Sequence, residues 1–316
     1  MSKQVDVGFE PKIWLHYFAI FLAFLIIILL VAGALVTSNE AGDSVPDWPL
    51  SFGRWLIHSD NFIANVRYEY SHRFIAGVVG FTTFLLALSI WFSEKRKWVK
   101  TLALLAFVGV VAQAAIGGIR VWFPAYKPQI AVPHALIAQS FFGLIVALAV
   151  FTSRGWFVER QTIKDEGGVA LRTLTVATIG AVLLQLVLGA GFRHGAWGII
   201  PHIVGAGLVA GLIIWTASAV LTRHDERWIR RPAWAVLGLM ILQVGLGIAA
   251  YFARVASKDD PQPLEPMISL TASHVVVGAL TLAAMVVLTA RCYKVLAPQN
   301  AGVNEKAMSS ARKATV

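Results

Sequence analysis

Apolar residues gather along this chain in eight blocks, at roughly 13–37, 71–92, 101–119, 133–152, 173–191, 201–221, 233–253 and 268–290. Each matches the roughly 20 residues that a helix needs to cross a bilayer. A soluble helix that buries one side keeps a charged face on the other, and these blocks have none. The pattern predicts an all-α polytopic membrane protein, an eight-transmembrane-helix bundle whose first partner is the lipid bilayer. Composition agrees: 57% of the 316 residues are hydrophobic and 14% charged, against about a quarter charged in soluble domains.

The polar segments between the blocks carry a second pattern. Blocks three, five and seven end in Gln113-x3-Gly117, Gln185-x3-Gly189 and Gln243-x3-Gly247, and each is followed by a loop and a block opening on Pro133-His134, Pro201-His202 or Ser273-His274. The first two blocks fit the same plan, with Gly33 and His72 but no Gln. A unit that recurs is an internal repeat. The stretch from Arg154 to Arg172, with Gly167-Gly168, divides the chain into two four-helix halves, 1–160 and 161–316. An even number of spans brings both halves in from the same side. They are therefore expected to be parallel repeats about an axis along the membrane normal.

Charge changes the picture once. The formal net charge is +10, yet 19 of the 27 Lys and Arg fall on the side shared by the two termini and the even-numbered loops. This is the positive-inside signal of a plasma-membrane protein with both termini cytoplasmic, not a nucleic-acid footprint. The N-terminal twelve residues form a short cytoplasmic lead. The first block is too long for a signal-peptide core and serves as an uncleaved anchor. The absence of a transit peptide makes a bacterial plasma membrane the expected location. With Cys292 as the single cysteine, no disulfide or thiolate metal site forms within one chain. The first outer loop, with Pro46-Asp47-Trp48-Pro49 and Phe52-Gly53-Arg54-Trp55, is expected to fold as a cap at the headgroup level, where Trp is favoured.

Four imidazoles at four equivalent places, all toward the outer leaflet, call for one explanation, because ionisable groups inside a membrane are expensive. A single zinc or copper cluster would need all four to converge. Two pairs, one per half, suit bis-imidazole ligation of a b-type haem. The facing glycines Gly33, Gly117, Gly189 and Gly247 admit a flat macrocycle or, equally, serve tight helix packing. Arg120, Arg193 and Arg254 follow odd-numbered blocks on the side where topology disfavours cations, and are candidates for propionate contacts or for interfacial snorkelling. His16, His58, His194 and His224 lie outside the repeat and are set aside. The halves differ in one respect: three residues before His72 stands Glu69, where His134, His202 and His274 have Ala131, Ile199 and Thr271. One haem is thus expected to be a resident cofactor in the second half, and the other, beside Glu69, to be acted upon.

These residues resemble the haem A synthase family over essentially all eight spans. The resemblance rests on Pro46-Asp47-Trp48-Pro49-Leu50, Glu69-Tyr70-Ser71-His72-Arg73, Gln113-x3-Gly117-Gly118, Pro133-His134, Pro201-His202 and Ser273-His274. It implies an enzyme that oxidises the C8 methyl of haem O to a formyl by two hydroxylations, for cytochrome oxidase assembly. It also implies His72 and His134 as ligands of the haem O substrate, His202 and His274 as ligands of a haem b cofactor, and Glu69 at the reacting methyl. Implied partners are haem O synthase and an electron acceptor of unknown identity. Many relatives carry a cysteine pair flanking Pro-Asp-Trp-Pro-Leu, whereas this chain has Val45 and Ser51. Two other classes share parts of the pattern. A diheme electron-transfer cytochrome would carry two His per helix and gives Glu69 no purpose; a haem transporter or chaperone would bind without catalysis.

Overall fold

A computed structural model describes residues 12–256, 258–259 and 264–298; the N-terminal lead lies almost wholly outside them. The eight blocks are eight long helices: α1 Ile13–Ser38, α2 Val66–Ser93, α3 Lys97–Trp122, α4 Lys127–Thr152, α5 Leu171–Arg193, α6 Ile200–Arg223, α7 Arg227–Ala256 and α8 Met267–Val295. All are long and apolar enough to span a membrane, and the chain is a multi-pass membrane protein. Large apolar side chains point outward along them, among them Phe81, Phe92, Leu208 and Ile241 at 63–80% exposure. Such a surface suits lipid and not water.

The helices run further than the apolar blocks do. Their first turns contain Arg67, Glu69, Lys127 and Gln129, polar residues that continue the helix where it leaves the hydrocarbon. As a result His72 is the seventh residue of α2, and His134 and His274 are the eighth of α4 and α8, not the helix heads that hydrophobicity indicates. Only His202 sits in a first turn, behind Pro201, whose fixed φ suits that position. Pro133 lies inside α4, where it removes a backbone donor immediately before His134.

Within each half the neighbours form a ring. α1 packs on α2, α2 on α3, α3 on α4 and α4 on α1; α5 to α8 repeat this order. Across the halves α4 meets α8 and α5, and α1 meets α8. α4 and α8 are accordingly the most buried spans, at 56% against 28% or less for the others. Two apolar cores follow. One holds Leu22, Ile26, Leu86, Phe142 and Ile145 with Ala279 and Ala283 of α8; the other holds Leu174, Ile213, Val236, Met285 and Leu288. The small residues on α8 let the central helices approach closely, which is how spans associate when lipid is as apolar as their side chains.

The basic end is tied as well. The segment joining the halves is held at Ile163, whose N–H donates to Val295 O and whose carbonyl accepts from Ala297 N, both at 2.8 Å. Arg172 donates to the Leu296 carbonyl. Near by, Trp228 lies under the guanidiniums of both Arg160 and Arg291. At the same end His16 Nδ1 lies 2.7 Å from Ala149 O, joining α1 to α4.

Candidate functional site

The opposite end of the bundle carries the four imidazoles, and the repeated glutamine has a visible purpose there. Gln113 Nε2 donates to His134 O at 2.9 Å. Gln185 Nε2 donates to His202 O at 2.9 Å and lies 2.9 Å from His202 Nδ1. His274 Nδ1 faces the Gln243 carbonyl at 3.1 Å, and its Nε2 is 3.3 Å from Gln243 Nε2. A carbonyl can only accept, so His274 bears its proton on Nδ1 and keeps a lone pair on Nε2. That Nε2 lone pair faces the Gln243 amide N–H, which has to turn aside before Nε2 can ligate a metal. At His202 the amide nitrogen faces Nδ1 instead, and Gln185 Oε1 is buried without a hydrogen-bond partner.

The glycines are seats, with one exception. A Cβ at Gly33 would stand 3.1 Å from His72 Nε2, one at Gly189 2.9 Å from the His202 ring, and one at Gly247 2.8 Å from the His274 ring. Gly117 has nothing within 4 Å. Gly205 and Gly278 seat the side chains of Gln185 and Gln243, a role the sequence reading did not assign them.

In the second half, the His202 and His274 rings stand 6.2 Å apart between centroids and 83° from coplanar. Two metal–imidazole bonds of about 2 Å and two ring half-widths of about 1 Å come to roughly 6 Å, so the spacing fits one metal between them. In the first half, His72 and His134 lie within electrostatic range of each other and of Arg120. His134 Nδ1 is buried with no hydrogen-bond partner, a polar atom with its bonding capacity unspent.

Glu69 is buried at 5% exposure and faces the outer loop. Its Oε2 accepts from Ser44 N at 2.7 Å and Val45 N at 2.9 Å, and its Oε1 accepts from Arg73 Nη2 at 2.6 Å. The loop is a folded cap. Asp47 accepts from Phe52 N and Gly53 N, Ser51 bridges to Arg54, and Trp48 lies on Gly118 and edge-on to Trp122 at 5.4 Å.

The three outer arginines have protein contacts. Arg120 donates to Gly42 O at 2.7 Å and lies 3.7 Å from Asp43. Arg193 crosses to α1, donating to Ala34 O at 2.8 Å and Ser38 Oγ at 2.9 Å. Arg254 stacks over Phe192 at 5.2 Å. His194, set aside as a loop residue, lies within electrostatic range of His134 and Arg120. Burial first, then the charges of Arg193 and Arg120 and the His134 ring, push its ionisation down to about 4. Nothing in the repeat pattern pointed to it.

The family profile of the COX15-CtaA cytochrome oxidase assembly proteins matches residues 16–201, a stretch that contains Glu69, His72 and His134. The chain belongs to this family. It is similar to proteins named heme A synthase. One, from an Exiguobacterium species, is 29% identical over 253 residues, covering 74% of this chain and 82% of the relative. One from Exiguobacterium sibiricum is 26% identical over 230 residues, covering 72% and 71%. One from Bacillus mycoides is 24% identical over 267 residues, covering 77% and 85%.

Proposed function

We propose that this membrane oxidoreductase makes haem A from haem O for cytochrome oxidase assembly, oxidising the C8 methyl of haem O to a formyl through two hydroxylations and loss of water. The observation that carries the reading is the asymmetry between two otherwise similar imidazole pairs: only His72 has a buried carboxylate, Glu69, one turn away. In this reading the chain is two parallel repeats, supported by the matching neighbour order of α1–α4 and α5–α8. His72 and His134 hold the substrate, and His202 and His274 hold a haem b cofactor.

The residues present fit such a cofactor. The 6.2 Å ring spacing leaves room for one iron, and with a proton on Nδ1 toward the Gln243 carbonyl, His274 would ligate through Nε2 once the Gln243 amide turns aside. When bound, that group supplies one-electron redox chemistry; the protein supplies position and electrostatics. Gln185 and Gln243 orient the two rings, and Gly189 and Gly247 keep space beside them. At the first pair, Gln113 fixes the backbone of His134 and Gly33 leaves space beside His72. Both Glu69 oxygens are engaged by donors, so the carboxylate offers fixed negative charge beside the reacting carbon, suited to developing positive charge. In this reading Arg120, Arg193 and Arg254 would be the partners of the haem propionates. Haem O synthase supplies the substrate, and an acceptor of unknown identity removes electrons.

The test is mass and pyridine haemochrome analysis of haem co-purified with the full chain, with and without a supply of haem O. Hydroxylated or formylated haem is expected with it, and His202→Ala or His274→Ala should remove haem b and turnover together. Recovery of unmodified haem b alone, with haem O present, rejects synthesis. The expected orientation, with both termini cytoplasmic and the imidazoles outside, is checked by reporter fusions: after residue 60 outside, after residues 97 and 230 inside.

A further inference from the structure

The outer loop is fastened to α2 through one ion pair. Arg73 follows His72 directly in α2. Its Nη1 donates to Asp47 O at 2.6 Å and Leu50 O at 3.3 Å, and its Nη2 to Val45 O at 3.2 Å and Glu69 Oε1 at 2.6 Å. Glu69 takes the Ser44 and Val45 N–H groups with its other oxygen. One guanidinium and one carboxylate thus satisfy five backbone groups of residues 44–50, a segment outside any helix and so in need of such partners. Val45, whose N–H and carbonyl are both used, is 1% exposed. The pair itself is sheltered, with side chains 16% and 6% exposed. The far side of the loop rests on α3 and α4 through Trp48 on Gly118 and through Asp43, which pairs with Lys127 and Arg120.

We propose that Arg73 is a positioning residue for the first site: with Glu69 it latches residues 44–50 as a lid at the His72 end. The proposal rests on the reading that the first pair holds haem O. The lid and the His72 ligand share one turn of α2, so placing one places the other. An exposed ion pair would contribute little, but removing one partner of a buried pair strands the other's charge. Lysine cannot replace the arginine fully, because an ammonium lacks the planar fork that serves four acceptors at once.

The experiment uses the full chain in native membranes with a reporter thiol, Ser51→Cys, at the position that directly follows the lid and is 4% exposed, and a membrane-impermeant maleimide. Cys292 is fully buried, and the chain without the reporter gives the background. Labelling should be slow with Arg73 present, at least about tenfold faster with Arg73→Gln as the lid opens locally, and intermediate with Arg73→Lys. Ser59→Cys, at an exposed position, should label fast throughout and reports a folded, accessible outer face. Equal Ser51→Cys rates with Arg73 and Arg73→Gln overturn the latch. If Arg73→Gln does not accumulate, a parental rate in Arg73→Lys overturns it instead. With haem O supplied, Arg73→Lys should raise KM about tenfold while changing kcat less than about threefold; an equal loss in kcat overturns the positioning role. The thiol rates involve no haem, so failure of the haem O reading would leave them unchanged and appear only as missing product.

Discussion

A single amide nitrogen of Gln185 serves both the ring and the backbone of His202, at 2.9 Å from Nδ1 and 2.9 Å from the carbonyl oxygen. The contact joins α5 to α6 and sets the rotation of the imidazole as well as the height of the turn that carries it. Gln185→Leu keeps the volume and removes both bonds. With an amide N–H at Nδ1 the neutral ring carries its proton on Nε2, so Gln185 must turn before His202 can ligate there. Outer partners of a ligating His are worth about 10–100-fold in affinity. If the second pair holds haem b, its retention should change by about that factor while the first pair is unaffected. Haem content per chain and the low-spin spectrum of the purified variant measure it; unchanged retention would remove Gln185 from the site.

The glycines separate by what faces them. Gly189→Ala and Gly247→Ala would put a Cβ 2.9 and 2.8 Å from the His202 and His274 rings, a distance that real contacts do not tolerate, so the rings must turn. Haem at the second pair should be largely lost in both. Gly117→Ala meets nothing within 4 Å and improves helix propensity by up to about 1 kcal/mol, so binding should stay near wild type. Equal losses at all three positions would contradict the seating geometry. A conformational need is not involved, since all three glycines lie in regular helix.

This contrast marks how far the sequence could be read. Eight spans and their polarity of charge were legible because a bilayer imposes a length on apolar runs. The helix starts were not, because Arg67, Glu69, Lys127 and Gln129 continue α2 and α4 beyond the hydrocarbon. The Gln-x3-Gly pattern was visible, but its three glycines looked alike, and only packing distinguishes Gly117 from Gly189. The partners of Arg193 and Arg120 were hidden by distance along the chain: Ala34 lies 159 residues from Arg193, and Gly42 78 from Arg120. The acid beside His72 was conspicuous. That both its oxygens hold the outer loop was not, because nothing in Ser44-Val45 announces which side chain its N–H groups will meet.

At the basic end, Glu94 caps the turn between α2 and α3. Its Oε1 accepts from Lys95 N, Arg96 N and Arg96 Nε, its Oε2 from Arg96 Nη2, and Arg96 reaches on to Phe151 O of α4 at 2.9 Å. Burial acts to raise the carboxyl's ionisation, but the Arg96 hydrogen bonds and charge and the Lys95 N–H outweigh it and hold it below the ordinary value. A depressed folded value means stability that is full above the unfolded value and fades as pH falls through the folded one. Glu94→Gln should therefore lower stability near neutral pH by about 1–3 kcal/mol, and the gap should close as pH drops below about 4.3. Thermal unfolding in detergent across pH measures this; a gap that persists unchanged into acid would assign the loss to packing.

Glu69 has two candidate contributions, charge at the reacting carbon and closure of the lid, and the Arg73 variants separate them. Glu69→Gln keeps an oxygen for the Ser44 and Val45 N–H groups but loses the Arg73 ion pair and the negative charge. Arg73→Gln also opens the lid, yet leaves the carboxylate beside His72. If the charge acts on the chemistry, Glu69→Gln should form haem A at least about 10²-fold more slowly than Arg73→Gln at matched lid-labelling rates, the scale expected of a positioned catalytic group. Glu69→Asp restores the charge one methylene further back, and should recover part of the rate with accumulation of hydroxylated intermediate. The measurement is the ratio of haem O, hydroxylated haem and haem A in each variant supplied with haem O. Equal rates in Glu69→Gln and Arg73→Gln would leave Glu69 a part of the lid alone, because at matched lid opening only Arg73→Gln still carries the carboxylate.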